Sequence, residues 1–111
     1  MAVNNLKVID GIGTNKEQDV IMLLLCDHLP WEGDTAPKVV DHLLLLQNKI
    51  NAYVAFLESG QYKEKYPMLD VKMAVIDIRF QYDIPKTCEQ FLQTVQDRLG
   101  ELGIKIEVHI G

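Results

Sequence analysis

The chain reads as an α+β protein: a two-layer sandwich with a four-stranded mixed sheet and two helices on one face, in the order β-β-α-β-α-β. Three observations predict it. Val20–Cys26 is a short, unbroken apolar run of the kind a covered strand carries. Two longer stretches, Thr35–Ser59 and Asp83–Leu102, repeat apolar residues at steps of three and four, the period of a helix face. The last stretch alternates without error, with Ile104, Ile106, Val108 and Ile110 on one face and Lys105, Glu107 and His109 on the other. Layering helices over one sheet face is the simplest way to bury all of these surfaces at once.

Each element has its local reason. Leu6–Ile9 is β-branched and reads as the first strand, and Asp10–Asn15, with Gly11 and Gly13, reads as the turn after it. The two glycines do not form a phosphate cradle, which needs a third glycine and a helix directly behind. Asp19–Asp27 is the second strand, a hairpin partner of the first, and Leu29-Pro30-Trp31 ends it because Pro30 cannot donate to a ladder. Asp34 or Thr35 is placed to cap the long helix, with Pro37 in its first turn and Gly60 at its end. Its inward stripe is Val39, Leu43, Leu46, Ile50, Tyr53 and Leu57. Gln61–Leu69 carries no clear period.

Asp70–Tyr82 is the third strand. Its alternation changes phase at Val75-Ile76, which predicts a bulge or a middle covered on both faces, with Asp77, Arg79 and Gln81 facing water or a partner. Asp83 and Pro85 open a second helix, whose apolar face runs through Cys88, Phe91, Leu92, Val95, Leu99 and Leu102 before Gly103.

A length of 111 residues favours one domain, 1–111, and 48% hydrophobic with 24% charged residues is the composition of a folded chain. The formal net charge of -5 with no basic cluster argues against nucleic acid as a partner. No apolar run is long enough to span a bilayer. The opening Met1–Lys7 has no basic region followed by an apolar one, so a cytoplasmic protein is expected. Cys26 and Cys88 are expected to be unpaired, as small buried hydrophobes.

Val8-Ile9-Asp10, Asp27-His28-Leu29 with Trp31, the helix text from His42 to Tyr53 and the closing Glu58-Ser59-Gly60 resemble a family of small bacterial proteins of unknown function. The resemblance spans nearly the whole chain, more loosely over Pro85–Leu92. It implies a stand-alone, single-domain protein and supplies no catalytic residue.

Two regions are candidates for function. The first is the corner Asp27, His28, Trp31, Glu32 and His42, a ligand or recognition site with a lone tryptophan beside titratable groups. Cys26 and His28 would leave one strand face side by side, not pointing at each other as a nucleophile–base pair must. Asp27, His28, Asp41 and His42 offer metal-ligand chemistry, but no His-x3-His or Cys-x2-Cys spacing supports it. No catalytic residue, metal or cofactor is assigned.

The second region is the far side of the long helix. Leu45, Lys49, Ala52 and Phe56 recur at steps of four, three and four, and Leu44 extends them along one flank. A helix apolar on two sides is covered on two sides or meets a partner. The expectation is a non-enzymatic interaction module, a homodimer through this line or a complex with another protein. Its competitor is a third layer in which the 61–69 segment folds over Phe56. The alternative function is a small enzyme or a ligand- or metal-binding domain working at the Asp27/His28/Trp31/His42 corner.

Overall fold

The computed structural model describes residues 9–17, 19–31, 38–68 and 70–111. Four strands form one mixed sheet in the order β1-β2-β3-β4: β1 (Gly11–Thr14), β2 (Val20–Asp27), β3 (Met73–Phe80) and β4 (Ile104–Ile110). The β1–β2 hairpin is antiparallel, and β2–β3 and β3–β4 are parallel. Helices α1 (Lys38–Ser59) and α3 (Lys86–Gly100) make the two crossovers, and a short α2 (Tyr62–Lys65) follows α1. Both crossovers step the same way across the sheet, so a common hand lays both helices on one face. One core follows, built from Ile21, Leu23 and Leu25 of β2, Ile76 and Ile78 of β3, and the inner sides of α1 and α3.

The expected four-stranded mixed sheet and its helical layer are present. The first strand among the described residues falls where the sequence suggests a turn. Residues 6–8 of the expected Leu6–Ile9 lie outside the described residues, and the strand that pairs with β2 is the stretch read as a turn. Gly11 serves that pairing. Gly11 lies opposite Leu24, and a Cβ at Gly11 would sit 3.2 Å from the Leu24 Cβ. The turn falls one step later, where Asn15 Oδ1 accepts the backbone N–H groups of Asp19 and Val20.

The expected caps at Asp34, Thr35 and Pro37 lie outside the described residues. Gly60 has φ +74°, the left-handed backbone that ends many helices. Gln61–Leu69 is less irregular than its sequence implies, since Tyr62–Lys65 is helical and Tyr62 is buried. In β3, Ala74 through Ile78 are buried without a break, so the phase switch marks a strand covered on both faces. Asp77 is therefore buried, contrary to expectation, while Arg79 and Gln81 are exposed. Asp83 does not cap α3: Pro85 holds that position, with no side-chain hydrogen bond, and its carbonyl accepts from Cys88 N and Glu89 N. Leu102 lies past the end of α3 and is exposed, outside the face assigned to it.

Replacing Gly60 with alanine forces a Cβ into left-handed backbone. Gly60→Ala is expected to lower unfolding free energy by about 1 kcal/mol, read from the midpoint of a urea melt with an unchanged slope.

Candidate functional site

The buried stripe of α1 is not the purely apolar one read from the sequence. It consists of Val39, His42, Leu46, Lys49, Ile50 and Tyr53, all buried, with Leu43 and Leu57 half-buried at its sides. At roughly 100° per residue, this face is turned towards His42 and Lys49. Two charged or chargeable side chains thus point into the protein, and each meets a carboxylate.

His42 Nε2 lies 2.6 Å from Asp27 Oδ2, and both side chains are almost wholly covered. A carboxylate can only accept, so the imidazole donates from Nε2. The other oxygen of Asp27 accepts the backbone N–H of Leu29 at 3.1 Å. Trp31 stacks on the His42 ring with centroids 3.5 Å apart and planes 12° from parallel, and it tilts against Phe80. The Trp31 indole N–H is buried without an acceptor among the described residues. Of the expected corner, Asp27, Trp31 and His42 come together. His28 is exposed and no contact joins it to them among the described residues, and Glu32 lies outside those residues.

The second pair was not foreseen. Lys49 Nζ lies 3.2 Å from Asp10 Oδ1, with both side chains at 0% exposure. Asp10 Oδ2 accepts the N–H of Cys26 at 2.8 Å, and Asp10 N donates to the Tyr53 hydroxyl at 3.0 Å. That hydroxyl donates in turn to Leu24 O at 2.6 Å. Burial above all pushes the Tyr53 phenol up from its usual range. Tyr53, Lys49 and His42, in that order back along α1, reach Leu24, the Asp10–Cys26 link and Asp27 in order along β2. The helix is fastened antiparallel to the strand on three polar rivets.

The far-side line of α1 divides. Lys49 is wholly buried and belongs to the inner face, which corrects its assignment to an interface. Leu45 and Phe56 are half-buried and pack against the core, and Ala52 is half-buried between them. Phe56 also meets Tyr62 of α2 at 6.3 Å, the third-layer contact that competed with a partner there. Leu44 alone of the line is exposed, at 50%, one turn from the similarly exposed Val40. The sequence error has one source: centring the stripe on Ile50 placed the β1-side flank of the helix on its back. A lysine and a histidine seven residues apart on an apolar helix were the available signal.

An Asp–His pair can hold an imidazole in one tautomer for general base work. Here the ring is roofed by Trp31, and Asp27 already carries a backbone N–H. Among the described residues, no three His, Cys, Asp or Glu side chains are grouped to hold a metal ion. No described helix is long and apolar enough to cross a membrane. Both cysteines are free. Cys88 is buried and its thiol is pushed up to about 12 by desolvation first and by the Asp27 charge second. Cys26 is half-buried on the open sheet face; burial first and Asp10 second raise its thiol, and Arg79 opposes them.

These features define a two-layer α+β domain whose polar interior ties a helix to a sheet. The chain belongs to a family of unknown function, DUF6572, which matches residues 1–111. No curated protein and no solved structure matches it.

Lys49→Met strands the Asp10 carboxylate and is expected to cost about 3 kcal/mol in a denaturant melt. Adding Asp10→Asn, whose amide oxygen can still accept from Cys26, is expected to restore part of that loss. Iodoacetamide at pH 8 is expected to label Cys88 only after unfolding, because a thiol held near 12 carries almost no thiolate there. Peptide mapping of the native and the urea-treated protein reads this directly.

Proposed function

We propose that this protein is a small interaction module that self-associates and performs no catalysis of its own. The observation that supports this reading is where the polar chemistry has gone. Asp27, His42, Asp10 and Lys49 are engaged with one another and with backbone groups of β2, in positions that hold α1 on the sheet. A catalytic or ligand-gripping set would leave some of these atoms aimed at open space.

Apolar side chains, by contrast, remain at the surface. Val40 and Leu44 are about half exposed on α1, and Val108 and Ile110 are open along β4. Single exposed hydrophobes are ordinary, but neighbouring ones on regular elements are what a partner covers. The long helix contributes less of this surface than its sequence suggests, since only Leu44 of its expected contact line is freely exposed.

Sedimentation equilibrium tests the self-association. Twice the protomer mass is expected at about 100 μM, falling towards one on dilution through the micromolar range. A protein that keeps the mass of one chain at about 1 mM counts against the proposal.

A further inference from the structure

The outer edge of β4 is unpaired among the described residues, because β4 is the last strand in the sheet order. Ala74 N donates to Gly103 O and Gly111 N donates to Phe80 O. These bonds fix the phase of the strand. Residues 103, 105, 107, 109 and 111 turn their backbone groups to β3, and Ile104, Ile106, Val108 and Ile110 turn theirs outward. Part of that edge is already occupied. Gln96 of α3 donates from Nε2 to Ile104 O at 3.2 Å and accepts the Ile106 N–H on Oε1 at 2.7 Å. The side-chain amide acts as a short substitute strand. It stops at Ile106 N, leaving the Ile106 C=O, both groups of Val108 and those of Ile110 without a partner among the described residues.

The free length is flanked by apolar surface. On the helix side, Ile106, Val108 and Ile110 line a groove completed by Ile84, Leu92 and the polar Glu89, Gln93 and Gln96 of α3. Val108 is 38% and Ile110 48% exposed. On the other side of the strand stand Lys105, Glu107 and His109, of alternating charge when the histidine is protonated. An edge this long and apolar, with no proline in it, is a template for another strand.

We propose that the occupant is a second copy of this chain, paired antiparallel along β4 about a two-fold axis at Val108. The proposal rests on the interaction-module reading and names its surface. In this register Val108 exchanges both backbone bonds with the partner's Val108, and each Ile110 N–H meets the partner's Ile106 C=O. Gln96 keeps its bonds to Ile104 O and Ile106 N only if the partner's Ile110 C=O turns aside, so the pairing ends at the Ile110 N–H. On the helix side Ile106 faces the partner's Ile110, and the two grooves join into one seam, apolar along the strands and edged by Glu89 and Gln93 of α3. On the open side Glu107 faces the partner's His109, and His109 faces the partner's Glu107, a complementary cross-strand arrangement. Sliding the pairing by two residues one way sets Glu107 against Glu107 and breaks the Gln96 clamp. Sliding it the other way keeps the same number of backbone bonds but sets His109 against His109 and leaves Glu107 without an opposite charge across the seam. The Gln96 bonds disfavour the first slide and the cross-strand charges the second, and the result is a continuous eight-stranded sheet.

Val108→Pro isolates the claim. It removes an N–H that has no partner among the described residues, at an edge position where proline is tolerated, so the monomer keeps its fold. Sedimentation equilibrium is expected to show the dimer dissociation constant raised at least about 100-fold, with an unaltered circular dichroism spectrum. Glu107→Lys is expected to weaken the dimer, and adding His109→Glu to restore it. A wild-type dimer untouched by Val108→Pro overturns this interface. If that dimer is instead dissociated by Leu44→Asp, contact passes to α1 and the self-association reading survives. A wild type that stays monomeric at about 1 mM sinks both.

Discussion

The buried pairing of Lys49 with Asp10 constrains the rest of the structure. An ammonium and a carboxylate removed wholly from water lose hydration worth several kcal/mol each, roughly, and recover it only when geometry and further hydrogen bonds are good. Asp10 meets that demand because its second oxygen takes the Cys26 N–H and its own N–H goes to Tyr53. The loop leading into β1 is thereby tied to both β2 and α1. Such a pair is weak as a source of net stability against an apolar replacement. It is strong as a specifier, because any other rotation or slide of α1 strands a charge. His42 on Asp27 repeats the device towards the other end of the helix, so helix and strand are indexed at two points with Tyr53 as a third.

That indexing explains why a helix so rich in leucine has one orientation. Leu43, Leu44, Leu45 and Leu46 are consecutive and equally apolar, so a hydrophobic stripe alone would fit several rotations nearly as well. The polar positions break the tie. Leu46 goes to the centre, Leu43 and Leu45 to the two flanks, and Leu44 outward. Burying a polar group in the wrong rotation costs far more than misplacing one leucine.

Much of the fold was legible in the sequence. The unbroken Val20–Cys26 run, the flawless alternation of Ile104–Ile110 and the glycine after Ser59 each express one local rule, and each element formed. Sites of long-range compensation were not legible. Nothing near Lys49 in sequence announces that Asp10 will neutralise it, since the carboxylate is 39 residues away. Gly11 and Gly13 signalled a turn, because the close approach of Leu24 to Gly11 exists only in the folded hairpin. Asp77 read as a wet position on an alternating strand, yet it sits in the middle of the sheet beside Arg79 and His109. At the candidate corner, the proximity of Asp27, Trp31 and His42 was anticipated. Their role was not, because a helix period shows which residues share a face and not which face is buried.

The two ends of the sheet manage the same problem differently. At one end β1 is only four residues long and carries two glycines, so it offers little to an incoming strand. At the other, β4 is seven residues long and strongly alternating, and α3 spends Gln96 on covering its first part. Protection of that kind is needed only where the edge would otherwise pair. Its stopping point matters more than its presence. The clamp covers Ile104 and the donor of Ile106, and beyond it the strand presents apolar residues on one side and Glu107 with His109 on the other. A bare edge would pair in any register, and a wholly covered one would not pair at all. One covered step, followed by side chains of opposite sign, narrows the alignments in which a second strand would be accepted.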